Sequence, residues 1–379
     1  MSSNHSYDAV IVGGGLAGLS LAILLSRRQY KVLVIEKESY PKHKVCGEYI
    51  SMESKPFLEG IGLPVSDMDL PVISRLLLTD TKGNEVNTPL PQGGFGISRY
   101  KLDAMLANLA QNAGATLLTK TKVDSIQWAN DSFTVTAGSA TFTARVACGA
   151  WGKRSNIDLK WQRPFIKEKN KALNNYIGIK YHITYPWPRD VVGLHNFTDG
   201  YCGISQIEDG KCCLCYLTTA ANLQKNGNDI KKLEHNILMQ NPWLRQIFSE
   251  AVFLYDTPAA ISQISFQKKE QVQEHVLLLG DAAGMITPLC GNGMSMAFHS
   301  AKIAGALIDD FLQGSITRSA MEKSYIAAWQ HNFSSRTTLG RIVQRNFGKD
   351  NTTAFFIKAM NALPFVRKAI IRGTSGRPF

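Results

Sequence analysis

The sequence predicts an α/β protein: a Rossmann-like dinucleotide-binding domain, a mostly antiparallel β-sheet inserted into it as a substrate domain, and a C-terminal helical region. Three observations predict this. Residues 7–36 read as strand, glycine turn, helix, strand and carboxylate. A second strand, acid, glycine-turn and helix unit falls at 276–312. Between them, residues 160–270 alternate aromatic and β-branched segments with turn residues. The first domain is then discontinuous, made of 1–70, 96–159 and 271–330; the inserted domain comprises 71–95 and 160–270, and a basic helical region covers 331–379.

In the first unit, Tyr7–Val12 is an apolar run suited to a buried parallel strand, Leu16–Ser26 carries a helical pattern, and Lys31–Ile35 is the second strand. Gly13, Gly15 and Gly18 form a G-x-G-x-x-G turn, and Glu36 follows 18 residues after Gly18. Gly13 makes the tight turn, Gly15 lets the backbone approach a pyrophosphate, and Gly18 lets helix and strand pack closely. The helix N-terminus offers free N–H groups to phosphate, and the acid accepts from ribose hydroxyls.

Length and composition bound the rest. At 379 residues there is room for about two domains, and 44% hydrophobic with 19% charged residues is an ordinary globular balance. Seven cysteines, an odd number, argue against a disulfide framework and for a reducing compartment. Cys212 and Cys215 form one C-x-x-C, but the alternation around them reads as strand, so no metal site is expected. The opening MSSNHS has neither a basic n-region nor an apolar core, and the apolar run Ala9–Ser26 is explained by the βαβ unit. A cytoplasmic chain is expected. Net charge is +12, and Arg336–Phe379 alone holds nine Lys/Arg against the single acid Asp350. No nucleic-acid motif accompanies that charge. It reads either as a peripheral contact with anionic lipid or as a solvated helix face.

Along the chain, 37–51 is a loop rich in turn formers that contains Cys46-Gly47-Glu48. A strand is expected near Ile73–Leu78 and a glycine-rich turn at Gln92–Gly96. Arg99 opens a helix with Leu102, Met105, Leu106 and Leu109 on one face, ended by Gly114. Arg99 and Asp103 are one turn apart and suit a surface pair, yet an Arg at a helix head is not placed by the dipole, which suggests a ligand role. Strands follow at Ala115–Gln127, Phe133–Thr136 and Thr141–Val146, leading to the small-residue turn Ala147–Ser155. In the inserted region, Tyr185-Pro186-Trp187-Pro188 reads as a rigid turn with a packed indole, and a helix is expected around Ile230–Met239. Val276–Gly280 runs into Asp281, and Gly291 and Gly293 precede a helix over Met294–Leu312 in which His299 is a packing residue. Helices from Thr317 onward are expected to break at Gly340, Gly348 and Pro364.

The glycine turn with Glu36, the Gly149-Ala150-Trp151-Gly152 segment, and Gly280-Asp281-Ala-Ala-Gly with Pro288-Leu-Cys-Gly-Asn-Gly together resemble the FAD-binding set of a flavoprotein superfamily. That superfamily holds aromatic-ring hydroxylases, flavin halogenases and geranylgeranyl reductases with a glutathione-reductase-type FAD domain. The resemblance implies that Gly13, Gly15 and Gly18 hold the pyrophosphate of FAD and that Glu36 holds the adenosine ribose. It further implies that Arg99 lies along the cofactor, Val123 offers backbone near adenine, and Asp281 binds ribityl or ribose hydroxyls. Pro288 and Gly291, Asn292, Gly293 and Met294 would lie beside the isoalloxazine. Lys37, Lys44, Cys46 and Gly47 fall in the loop that the resemblance places against the cofactor. Lys44-Val45-Cys46-Gly47-Glu48 is most similar to the geranylgeranyl reductase branch, where the matching cysteine sits near flavin and substrate. Trp151 stands where the hydroxylases usually carry Asp, Gly203 stands where the prenyl reductases carry Trp, and the halogenases' W-x-W-x-I-P is absent.

The resemblance implies an FAD-dependent oxidoreductase with NAD(P)H as co-substrate and Cys46 and Pro288 at the reacting end. The first expectation is a monooxygenase of secondary metabolism that hydroxylates a lipophilic or aromatic small molecule in a cavity that excludes water. The alternative is a geranylgeranyl-reductase-like enzyme that reduces a C=C bond. A third possibility is a redox-neutral cyclase or isomerase in which FAD acts electrostatically.

Overall fold

The computed structural model describes residues 5–167, 175–287, 291–346, 350–362 and 376–379. Strand β1 (His5–Val12) leads through the glycine turn into helix α1 (Leu16–Ser26) and strand β2 (Val32–Ile35). Then come β3 (Tyr49–Ser51), β4 (Val72–Thr79), β5 (Glu85–Gly96) and helix α2 (Arg99–Asn112). Next are β6 (Thr116–Leu118), β7 (Ser125–Ala129), β8 (Ser132–Ala137) and β9 (Ala140–Gly149). The middle of the chain supplies β10 (Tyr176–Thr184), β11 (Val191–Phe197), β12 (Gly200–Gln206), β13 (Cys212–Thr219) and β14 (Ala259–Ile264). β15 (Val276–Leu278) precedes the helices α3 (Gly293–Leu312), α4 (Arg318–Asn346) and α5 (Asp350–Ala362).

Two sheets result. In the first, β15, β9, β1, β2 and β6 run parallel in that order, with β8 and β7 added antiparallel beyond β9. All four residues of β2 are buried, as befits a parallel strand covered on both faces. Ten of the eleven residues of α1 are buried too, because α1 lies between the sheet and α3, where Gly305 lets the helices approach at Leu21 and Leu24. The second sheet runs β10, β13, β12, β11, β4, β5, β3, antiparallel except for the β11–β4 pair, and β14 adds to β10. β3, from the loop after Glu36, ties the two halves by pairing Tyr49 with Gly96 and Ser51 with Gly94.

Four expectations change. Gln92–Gly96 is the end of β5 and not a turn: a Cβ on Gly94 would meet the Ile50 carbonyl oxygen at 2.5 Å, so the glycines serve close packing between strands. Ala115–Gln127 is split into β6 and β7, and the intervening Thr121–Val123 turns to face a cavity. The Arg99–Asp103 pair is no surface pair, since Asp103 is fully buried. Gly340 does not end its helix; α4 runs through it, and a Cβ there would press Thr287 Oγ1 at 3.0 Å. Gly348 and Pro364 lie outside the described residues. His299 packs as expected, stacked on Phe379 at 4.2 Å. Trp187 is buried edge-on to Trp243. No described helix is long and apolar enough to cross a membrane.

The end of β15 is fixed by Tyr325 of α4, whose buried hydroxyl donates to the Leu278 carbonyl at 2.6 Å. Tyr325→Phe leaves that carbonyl unsatisfied and should cost about 1–2 kcal/mol in urea denaturation without changing the m-value.

Candidate active site

The strand order reverses at β1: its chain continuation β2 lies on one side and β9 on the other. Parallel sheets open a ligand crevice at such a point, beyond the carboxyl ends of the strands. Gly13 N–H donates to Ile35 O and Ala150 N–H to Val12 O, both at 2.8 Å, and Leu279 N–H donates to Gly149 O at 2.9 Å, so the ends of β2, β1, β9 and β15 are laced together. Gly13 has φ +107°, and a Cβ on it would lie 2.5 Å from the Ala150 carbonyl oxygen; a Cβ on Gly18 would collide with the Gly13 carbonyl oxygen. Only glycine fits at either place.

α1 begins at Leu16 with no side-chain cap and no acid in its first turn, and Gly15, Leu16 and Ala17 face the crevice. Its free N–H groups and dipole are aimed at an anion. Glu36 braces the turn: one oxygen accepts from Gly14 N–H at 2.8 Å and the other meets Lys42 Nζ at 2.8 Å. Burial pushes the Glu36 carboxyl up, but Lys44 and Lys42 outweigh it and hold it below the usual carboxylate range. Arg99 forms a fork with Asp103 at 2.7 and 2.8 Å and faces the crevice beside Gly15. Burial, with Arg99 and Lys42 nearby, pushes the half-buried Lys44 down to about 8.

These groups line one end of a cavity of about 1220 Å³. Lys37, Lys44, Cys46, Gly47, Val123, Asp281, Gly291, Gly293 and Met294 also line it. The far end is an apolar wall of the second sheet that includes Leu78, Val192, Leu194 and Ile261. Gly18 and Asn292 stand behind the lining, Gly18 against the turn and the buried Asn292 at the start of α3. Pro288 lies outside the described residues. A glycine cradle that a Cβ would fill, a bare helix N-terminus, a fixed acid and flanking cations fit the pyrophosphate and ribose of FAD.

Two buried clusters escaped the sequence reading. In one, the fully buried Arg163 donates to Asp158 at 2.8 Å, to Ala282 O at 3.0 Å and to Glu270 O at 3.0 Å. Trp151 Nε1 donates to the same Asp158 at 3.2 Å. Lys269 Nζ donates to Lys153 O and Asp281 O, both at 2.8 Å, and burial pushes it down to about 8. Together they clamp the turn after β9 onto the Asp281 turn. The legible trace was Ser155-x-x-Asp158, which forms a capping box.

In the other cluster Glu48, fully buried with φ +54°, accepts from Lys180 Nζ at 2.5 Å, His182 Nε2 at 2.6 Å and Arg99 N–H at 2.8 Å. Burial pushes the Glu48 carboxyl up; the His182 hydrogen bond and the Lys180 ammonium outweigh it, and the net direction is down. The same pairing outweighs burial to raise Lys180. The trace in the sequence was Lys180 and His182, two polar residues at period two inside an apolar strand. Glu48, His182 and Cys213 bring ligand atoms within 4.8 Å of one another, but the Lys180 ammonium already supplies the positive charge a metal would bring. Cys212 and Cys215 project to opposite faces of β13. Cys46 lines the cavity next to this cluster, with its Sγ 3.5 Å from Glu48 N–H and its carbonyl 3.3 Å from Cys213 Sγ.

The family model for an NAD(P)-binding Rossmann-like domain matches residues 11–41, and the squalene epoxidase model matches 203–342. Conditioned medium factor receptor 1 of Dictyostelium discoideum is 23% identical, over 89% of this chain and 71% of that protein. Menaquinone reductase of Mycobacterium tuberculosis is 24% identical, over 82% of this chain and 78% of that one. Digeranylgeranylglycerophospholipid reductase of Methanocaldococcus jannaschii is 25% identical, over 86% and 83%. Among solved structures, flavin-dependent brominase Bmp2 superposes with a TM-score of 0.80 at 20% identity, over 99% of this chain and 94% of that one. A geranylgeranyl bacteriochlorophyll reductase-like protein of Thermoplasma acidophilum gives 0.77 at 18%, over 94% and 91%.

Arg163→Met would leave buried Asp158 without its countercharge and two carbonyls without their donor, so FAD affinity should fall about tenfold or more, read as the dissociation constant from flavin fluorescence quenching. Because Glu36 is held below its ordinary value, the stability it confers is present above about pH 4 and lost as pH falls through its folded pKa. FAD retention at equilibrium should drop steeply below about pH 4, and Glu36→Gln should flatten that drop.

Proposed function

Since the chain belongs to the FAD-dependent oxidoreductase superfamily, we propose that it is a reductase of a C=C bond in a lipophilic molecule, with NAD(P)H as electron donor. The observation that carries this is the position of Cys46. It stands on the cavity wall between the cofactor-binding end and the apolar sheet, next to the hydrogen-bonded Glu48, Lys180 and His182. A reduction of C=C requires a proton donor at that boundary as well as a hydride source. Bound FAD supplies the hydride. The chain's own residues do the rest: Gly13, Gly15 and the α1 N-terminus hold the pyrophosphate, Glu36 the ribose, and Asp281 the ribityl hydroxyls. The apolar wall of the second sheet orients the substrate and excludes water, and the Cys46 thiol is placed to give up a proton. The menaquinone and digeranylgeranylglycerophospholipid reductases among the relatives support a prenyl- or quinone-type lipid as substrate.

A monooxygenase is the second reading, favoured by the squalene epoxidase match, which begins within β12 and includes its cavity-lining Ser205. The basic segment from Arg336 onward is proposed as a contact with anionic lipid, from which such a substrate would be drawn. Within it Arg336 is committed to Glu53 at 3.3 Å, and Lys349, Arg367, Lys368 and Arg372 lie outside the described residues. R367E/K368E should lower co-sedimentation with phosphatidylserine vesicles severalfold at low salt; equal sedimentation of variant and wild type would remove the lipid contact.

The deciding experiment is anaerobic turnover of the FAD-loaded protein with NADPH or NADH and menaquinone or a geranylgeranyl lipid. A product that gains two hydrogens without oxygen supports the reductase. A product that gains one oxygen atom, formed only in air, replaces it with the monooxygenase. Cys46→Ser should keep FAD and lose about a hundredfold in turnover.

A further inference from the structure

Glu48, Lys180 and His182 lie outside the glycine turn and the Arg163 clamp, and their geometry exceeds what a structural ion pair needs. A buried carboxylate must be paired and hydrogen-bonded, and Lys180 with Arg99 N–H already meets that need at one oxygen, Oε1. The other oxygen takes a 2.6 Å hydrogen bond from an imidazole, the one side chain whose unperturbed charge change falls near neutral pH. That imidazole leads outward. His182 meets His43, an exposed residue at the rim of the cavity, edge-on at 5.3 Å, and His43 stacks on the exposed Tyr100 at 4.7 Å. On the inner side, Glu48 and Cys46 both line the cavity, and the main-chain N–H of Glu48 holds the Cys46 Sγ at 3.5 Å.

We propose that His182 and Glu48 form a proton relay, with Lys180 as its fixed countercharge, that carries protons from solvent at His43 to the cavity wall at Cys46. In each passage the His182 Nε2–H bond breaks as a Glu48 Oε2–H bond forms. The proton then leaves Glu48 for a base in the cavity, the Cys46 thiolate left by a donation or a water beside it, and His182 regains a proton from the His43 side. No electrons move, and the net change is one proton taken from solvent and placed in the cavity. Lys180 keeps its proton throughout, and because it holds Glu48 toward ionisation, the carboxyl passes on what it receives. The charged and titratable groups around the pair are Lys180 on β10, Cys213 on β13, His43 and Cys46 on the loop after Glu36, Tyr255, and Arg99 on α2. Burial keeps Cys213 and Tyr255 protonated, so neither competes as carrier. The relay serves reduction and oxygenation alike and does not depend on the choice between them.

Reduction of bound FAD takes up protons, which gives a readout without substrate. The full-length FAD-loaded protein is mixed with reduced methyl viologen, an electron donor that releases no proton on oxidation, anaerobically and in weak buffer, while flavin bleaching and a pH-indicator dye are followed together. In the wild type, proton uptake should keep pace with bleaching and slow severalfold in D₂O. His182→Gln and Glu48→Gln should each slow uptake at least about tenfold while bleaching keeps its rate, and His43→Ala should slow it less. If Glu48→Gln fails to fold or to bind FAD, His182→Gln and His43→Ala decide. Uptake at the wild-type rate in His182→Gln overturns the relay, as does a slowing of uptake matched by an equal slowing of bleaching, which would mark a merely structural role.

Discussion

Everything in this molecule is arranged around the contact of the β1 turn with the ends of β9 and α1. Gly13 takes a left-handed conformation against the Ala150 carbonyl, and Gly18 brings α1 onto Gly13 with no room for a side chain. That contact brings the end of β9, and with it the end of β15, to the same rim of the sheet. It leaves the N-terminus of α1 without a cap, pointing into the opening. The free N–H groups that would be a defect elsewhere are here left open to an anionic ligand.

A crevice on one sheet is not yet an active site; it needs a second wall and a fixed distance to it. The chain builds that wall from β10–β13 with β4, and fixes the distance with polar groups at two buried places. Arg163 and Lys269 capture carbonyls of the turns that follow β9 and β15. Glu48, carried on the loop between β2 and β3, reaches across to Lys180 and His182 on β10. Charges this deep contribute little net stability, but breaking one partner is costly, so they hold one geometry better than apolar packing of equal area would. At Glu48 one of the two partners is an imidazole, held at 2.6 Å, which is what the proposed relay rests on.

The two ends of the cavity differ for a physical reason. At the glycine turn the walls are main chain, so the surface is polar and shaped by what is missing from Gly13, Gly15 and Gly18. At the second sheet the walls are side chains that alternate along the strands, so one face of β4 and β11 is presented as Leu78, Val192 and Leu194. Cys46 lies where these surfaces meet. A ligand that spans both ends passes this point.

Much of the cofactor end was legible in the sequence. Gly13, Gly15, Gly18 and Glu36 follow from local rules of turn, helix and strand, and α1 and α3 lie where the apolar periodicity places them. The glycines at 94, 96 and 340 were visible but misleading, since each is there for a neighbour far along the chain and not for a turn. Arg163, Lys180 and His182 look like surface residues when read singly, because a charge is interior only if its partner is, and those partners are 5, 132 and 134 residues away. The sequence by itself determined the fold class and the phosphate-binding turn, which depend on local conformation and periodicity. Tertiary structure alone decided which charges are buried, how the two sheets are spaced, and that Lys180 and His182 of β10 meet Glu48 beside Cys46.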